Sequence, residues 1–213
     1  MFLALALNAG ASPACDAELA PIQESWRRWQ LAEEPGPGRE AFLAAWPAVS
    51  AECRGAEWYL LAARALGRTP TWSLTAGDLT LHTTREALER ALQVEPDHPA
   101  VAAFLTFAAG VHADTPPLPA GICQRLPAGD DQRYVCGSVA VAEGRPADAI
   151  TAFSAITQPG LYPDLGLRWR QADPKAALPP AVSGPPSEAT CMAFGATYAE
   201  CQVVQKAWKK AGR

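Results

Sequence analysis

The chain has 213 residues, 49% of them hydrophobic and 19% charged, which excludes a disordered polymer and leaves room for one or two small cores. Its 18 basic and 22 acidic residues give a net charge of −4 with no basic block, which argues against a nucleic-acid partner. Twenty prolines and 16 glycines divide the chain into short segments, and Ala-rich runs with Leu, Glu and Arg favour helix over strand.

The first residues, MFLALALNAGASPAC, place a short apolar run (Phe2 to Leu7) before small residues. Ser12 and Ala14 fit a small-x-small cleavage site, so residues 1–14 are read as a signal peptide, although no Lys or Arg precedes the run. No other apolar run approaches the length of a membrane span.

Helical spacing follows over 16–33 (Leu19, Ile22, Trp26, Trp29) and 39–53 (Phe42, Trp46, Val49, Cys53), with EPGPG (34–38) as the turn between them. Pro47 should kink or restart the second helix. The Trp pair reads as a core stripe rather than a ligand platform. A third helix covers 56–66 and ends at Gly67. Residues 67–83 have no clean period and are read as a long loop or a short inserted helix. Residues 84–94 are helical up to Pro96. Asp97 or His98 caps a helix that opens at Pro99 and runs to Ala109.

Residues 111–128 read as a proline-rich loop. Residues 130–143 and 146–157 form a helical hairpin around Gly144, and a short helix spans 163–171. Residues 174–186 read as an ordered Pro/Ala-rich linker. The last helix runs from Ser187, a cap, to about Lys210, with Lys206, Lys209 and Lys210 at the negative end of its dipole. The domain organisation expected is a leader (1–14), a helical domain (15–173), the linker (174–186) and a C-terminal helix (187–213) packed on the domain.

Six cysteines form an even set in a chain read as exported, which points to disulfides. Cys15 opens one helix and Cys53 closes the next, so antiparallel packing brings them together. Cys123 and Cys136 flank a turn segment and can staple it. An unbroken helix would hold Cys191 and Cys201 about 15 Å apart. They can pair only if the helix breaks, and Gly195 is the candidate break. A competing reading makes Cys15 a lipid attachment site after cleavage at Ala14. Ser12 then stands where such signals usually carry Leu, and five cysteines would remain.

Helix pairs in series raise the question of a repeat. In residues 130–158, Cys136, Gly137 and Ala140 lie on the first helix, Gly144 makes the turn, and Ala149, Phe153 and Ile156 line the second. Thr84, Leu88 and Ala91 hold the same second-helix positions, and ALERALQVEPDHPAV (87–101) continues the pattern. This spacing resembles the tetratricopeptide repeat, with one good unit at 130–158 and a partial one at 56–98. The long 67–83 segment and the loop at 111–128 depart from the family pattern. The resemblance implies an all-α, short, irregular solenoid of stacked antiparallel hairpins whose groove binds peptides or proteins. The groove-facing positions it implies are Asp131, Tyr134, Ser138, Val141 and Ala142. Asp131 and Ser138 replace the basic residues and Asn with which the family holds a C-terminal carboxylate.

No motif for chemistry emerges. His82, His98 and His112 lie outside metal-ligand spacing, and no close cysteine pair exists. No phosphate loop or nucleophile elbow is present. Asp130 and Asp131 sit at a helix N-terminus, where capping is the favoured reading. The expectation is therefore a non-enzymatic protein-interaction module or scaffold of the bacterial cell envelope, exported or periplasmic. It needs no cofactor and no metal, and its partner is a protein or peptide. It meets the membrane only if Cys15 is lipidated. The alternatives are that lipoprotein, or a small helical ligand carrier or enzyme with a pocket lined by Trp and Tyr.

Overall fold

The computed structural model describes residues 13–31, 36–69, 72–112 and 115–211. The expected leader up to residue 12 lies outside the described residues. So do Glu34 and Pro35 of the EPGPG turn.

Helix α1 (Pro13–Leu31) folds back on α2 (Pro37–Ala45), and short 3-10 turns at Trp46–Ala48 and Ala51–Cys53 carry the chain onward. The expected second helix thus gives way at Trp46, next to Pro47, which has no amide hydrogen to donate. Cys15 and Cys53 form a disulfide with Cα atoms 5.0 Å apart, closing the pair as its antiparallel packing requires. Trp26 and Trp29 are buried against Phe42, with ring centroids 5.5–6.0 Å apart, so the Trp stripe is core. Trp46 stacks on Trp58 at 4.0 Å. Each indole N–H of that pair donates to the other residue's carbonyl, which satisfies both buried donors.

Helix α3 (Ala56–Arg68) pairs with α4 (Thr84–Val94). The segment between them is neither a plain loop nor an inserted helix. It holds an antiparallel hairpin, β1 (Leu74–Ala76) and β2 (Leu79–Leu81). Leu74, Ala76 and Leu81 are buried and Thr75 faces Thr80, a period of two around Gly77–Asp78. Gly77 has φ +64°, which such a tight turn requires. The cap of α4 is Thr83, which accepts from the Glu86 N–H at 3.1 Å.

Helix α5 (Pro99–Val111) starts at His98, whose Nδ1 accepts from the Val101 N–H at 3.4 Å. Val101 to Ala108 are all buried, so α5 is the central helix. The proline-rich stretch contains one turn of helix, α6 (Ile122–Arg125), and the Cys123–Cys136 disulfide ties it to α7 (Asp130–Ala142). Helix α7 pairs with α8 (Pro146–Ser154) across Gly144, whose φ is +70°. A Cβ at Gly137 would overlap the Phe153 ring, so this glycine permits the close approach of the two helices.

Helix α9 (Leu165–Ala172) follows. The Pro/Ala-rich segment after it is anchored by Val182, which is buried in the core around α7 and α9. The C-terminal region is two helices, α10 (Glu188–Phe194) and α11 (Tyr198–Ala211), not one. Gly195, at φ +100°, breaks them. The break lets Cys191 and Cys201 bond with Cα atoms 5.6 Å apart. Over the described residues the fold is therefore all-α apart from one small hairpin, built of packed antiparallel helical pairs and stapled by three disulfides. Phe194 packs against all three of its apolar clusters.

Candidate functional site

Helices α3, α5 and α7 each contribute one wall to a cavity of about 180 Å³. Ala100 and Ala103 on α5 are too small to fill it. Arg64 enters from α3 and Asp131 from α7, while Tyr162 and Phe194 close the remaining sides. Leu161 stands on the rim with 47% of its surface exposed, one of few large apolar side chains so presented among the described residues.

Arg64 Nη2 donates to the Phe194 carbonyl at 3.1 Å. Its Nε lies against Gly195, shielded from solvent and without a hydrogen-bond partner among the described residues. Burial lowers the guanidinium's pKa, countered by the charges of Glu57 and Asp131. Asp131 Oδ1 accepts from the Tyr162 hydroxyl at 2.8 Å. That phenol is raised above its ordinary pKa by burial and then by the Asp131 carboxylate. Tyr162 in turn stacks on Tyr134 at 4.5 Å.

Tyr134 belongs to a buried network. Its hydroxyl donates to Asp164 Oδ1 at 2.7 Å, Arg168 Nε donates to Asp164 Oδ2 at 2.6 Å, and Arg168 Nη2 donates to the Thr106 carbonyl at 2.6 Å. Burial alone would lower Arg168, but the Asp164 charge outweighs it and holds the guanidinium charged. Each charge in this network has a partner, as buried ion pairs need.

Of the five groove-facing positions implied by the repeat, Asp131 lines the cavity. Tyr134 and Ser138 are buried, and the Ser138 hydroxyl donates to the Tyr134 carbonyl. Val141 is half-buried and Ala142 is exposed near the end of α7. The structure thus brings Asp131 together with Arg64, Leu161, Tyr162 and Phe194, none of which sequence reasoning singled out.

No protein-family model, no curated protein and no solved structure matches this chain. The residues themselves carry the functional argument.

A second cavity, of about 300 Å³, lies between the start of α4 and the end of α5. His112, on its wall, closes α5 and forms a 2.5 Å hydrogen bond through Nε2 to Glu200 Oε1. Glu200 is buried, and its other oxygen accepts from the Thr197 N–H, while its own N–H donates to the Thr197 hydroxyl. This is a capping box for α11, legible in the sequence as Thr197-Tyr198-Ala199-Glu200. His112 therefore joins α5 to the start of α11, and the bond raises its pKa despite partial burial.

Asp130 does more than occupy a helix N-terminus. Its carboxylate accepts from the Thr157 N–H and hydroxyl, the Gln158 N–H and Arg133 Nη1, at 2.7–3.0 Å. Burial would raise its pKa, but these bonds lower it to about 2. Among the described residues no group of three His, Cys, Asp or Glu side chains is placed to hold a metal ion. No helix there is long and apolar enough to cross a membrane.

Proposed function

We propose that this protein is an exported, non-enzymatic helical module of the bacterial cell envelope that binds a protein partner through the α3–α5–α7 face. The observation that carries this reading is the exposed Leu161 beside a cavity with one cation and one anion on its walls. A mostly apolar lining with a few fixed polar groups is the usual anatomy of a recognition pocket. The disulfides fit an oxidising compartment. A likeness to the tetratricopeptide repeat is part of the proposal, supported by the close α7–α8 packing at Gly137.

The alternatives draw less support. A lipid anchor needs the Cys15 sulfur that the bond to Cys53 uses. A ligand pocket lined by Trp and Tyr draws on few of those rings: Trp26, Trp29, Trp46, Trp58 and Tyr134 are buried in the core, and the α3–α5–α7 cavity has Tyr162 on its wall but no Trp.

Affinity capture from envelope extract with the full chain tests the proposal. A stoichiometric protein partner is expected, lost when Leu161→Asp places a charge on the rim. A chain that stays partnerless, or a partner indifferent to Leu161→Asp, contradicts it.

A further inference from the structure

The cavity between α3, α5 and α7 has an unusual charge balance. A guanidinium carries five N–H donors. Among the described residues Arg64 has one hydrogen bond, to the Phe194 carbonyl, and its Nε is shielded with no partner there. Across the cavity Asp131 uses one oxygen for the Tyr162 hydroxyl, and its other oxygen has no partner among the described residues. Among the described residues neither group is neutralised by a direct ion pair. The Arg64 Nε is pressed against Gly195, so the donors left for a ligand are on its terminal nitrogens, and Asp131 is half-buried, which leaves its second oxygen open to a ligand.

The sign of the charges selects the ligand. An anion drawn to Arg64 would sit beside Asp131, with Glu57 adding negative potential from α3. A cation drawn to Asp131 would sit beside Arg64. Either ion meets one favourable and one unfavourable charge in a partly desolvated site. A neutral group with an acceptor next to a donor satisfies both at once. A peptide amide is one such group: its carbonyl accepts from Arg64 and its N–H donates to Asp131. An apolar side chain attached to it would lie against Leu161 and Phe194, and Ala100 and Ala103 leave the room.

We infer that this cavity binds a neutral peptide amide carrying an apolar side chain, with Arg64 as donor, Asp131 as acceptor and Leu161 as apolar wall. The inference rests on the protein-partner reading above and specifies which part of a partner enters. It places an internal, uncharged peptide segment in the cavity, not a chain terminus.

Titration of the full disulfide-bonded chain with three probes, followed by amide chemical shifts, tests it. The probes are N-acetyl-leucinamide (neutral), N-acetyl-leucine (anionic) and leucinamide (cationic). The neutral probe should bind in the millimolar range, with shifts centred on Arg64, Asp131 and Leu161, and at least about tenfold more tightly than either charged probe. Asp131→Asn keeps an oxygen for Tyr162 but replaces the second acceptor with a donor, and should weaken the neutral probe about tenfold. Ala100→Leu fills the cavity from the half-buried side of α5 and should abolish binding while the far-shift pattern of the fold persists. Equal binding of all three probes, shifts mapping elsewhere, or an unchanged affinity in Asp131→Asn overturns the inference. A partner captured from the envelope that binds Asp131→Asn and Ala100→Leu normally leaves the protein-partner reading standing and removes this one. Selective amide binding without any envelope partner does the reverse.

Discussion

Arg64 and Phe194 stand 130 residues apart in sequence, yet the Arg64 guanidinium donates to the Phe194 carbonyl. The contact closes the C-terminal segment over the central helix. Phe194 then places its ring 5.3 Å from Phe107, 5.9 Å from Tyr162 and 6.2 Å from Phe104. Phe194→Ala should therefore destabilise the fold by about 3 kcal/mol, the usual cost of removing an aromatic ring from a packed site. Urea unfolding measures it. A loss of under about 1 kcal/mol would mean that the C-terminal segment packs independently of the rest.

Asp130 links the start of α7 to the turn after α8, with its pKa lowered to about 2 from an ordinary 3.8. A depressed carboxylate stabilises the fold above its unfolded pKa, and that contribution disappears as pH falls through the folded value. Asp130→Asn should lower stability at pH 7 by about 2 kcal/mol, as expected for hydrogen bonds to a charged group. The gap to the parent should narrow between pH 4 and pH 2 as the parent's carboxylate protonates. A gap that stays constant over that window would show that the bonds do not depend on charge.

The His112–Glu200 bond has the opposite sign. The His112 pKa is raised, so its contribution is fully present below the unfolded value near 6.5 and is lost as pH rises through the folded value. His112→Gln should cost more stability at pH 5.5 than at pH 8.5, read from denaturant midpoints at the two pH values. An equal cost at both would mean that the bond is made by a neutral imidazole.

Much of the helical frame was legible because apolar spacing and breakers agree. Leu19, Ile22, Trp26 and Trp29 mark one stripe, and Gly144 with Pro146 marks one turn. Cys15 and Cys53 could be paired from helix length alone. The β-hairpin was missed although Leu74–Leu81 alternates around Gly77–Asp78, because each strand has only three residues. The C-terminal break was conditional in the sequence: Gly195 is one glycine, and only the Cys191–Cys201 bond shows the cost of not breaking there. The cavity could not be read at all. Arg64 looks like a surface residue of an Ala-rich helix, and Leu161 and Phe194 come from segments whose approach depends on tertiary packing. Local pattern reports which face of a helix is apolar, not which distant carbonyl a buried arginine will find.

The central claim is that the Leu161 rim meets another protein. The most direct measurement places a photo-crosslinking amino acid at Leu161 and, as a control, at Val94, which is similarly exposed at the end of α4. Irradiation in intact cells should give one discrete heteromeric adduct from position 161 and none from 94. Adducts of equal yield from both positions, or none from 161, would contradict the assignment of this face as the binding surface.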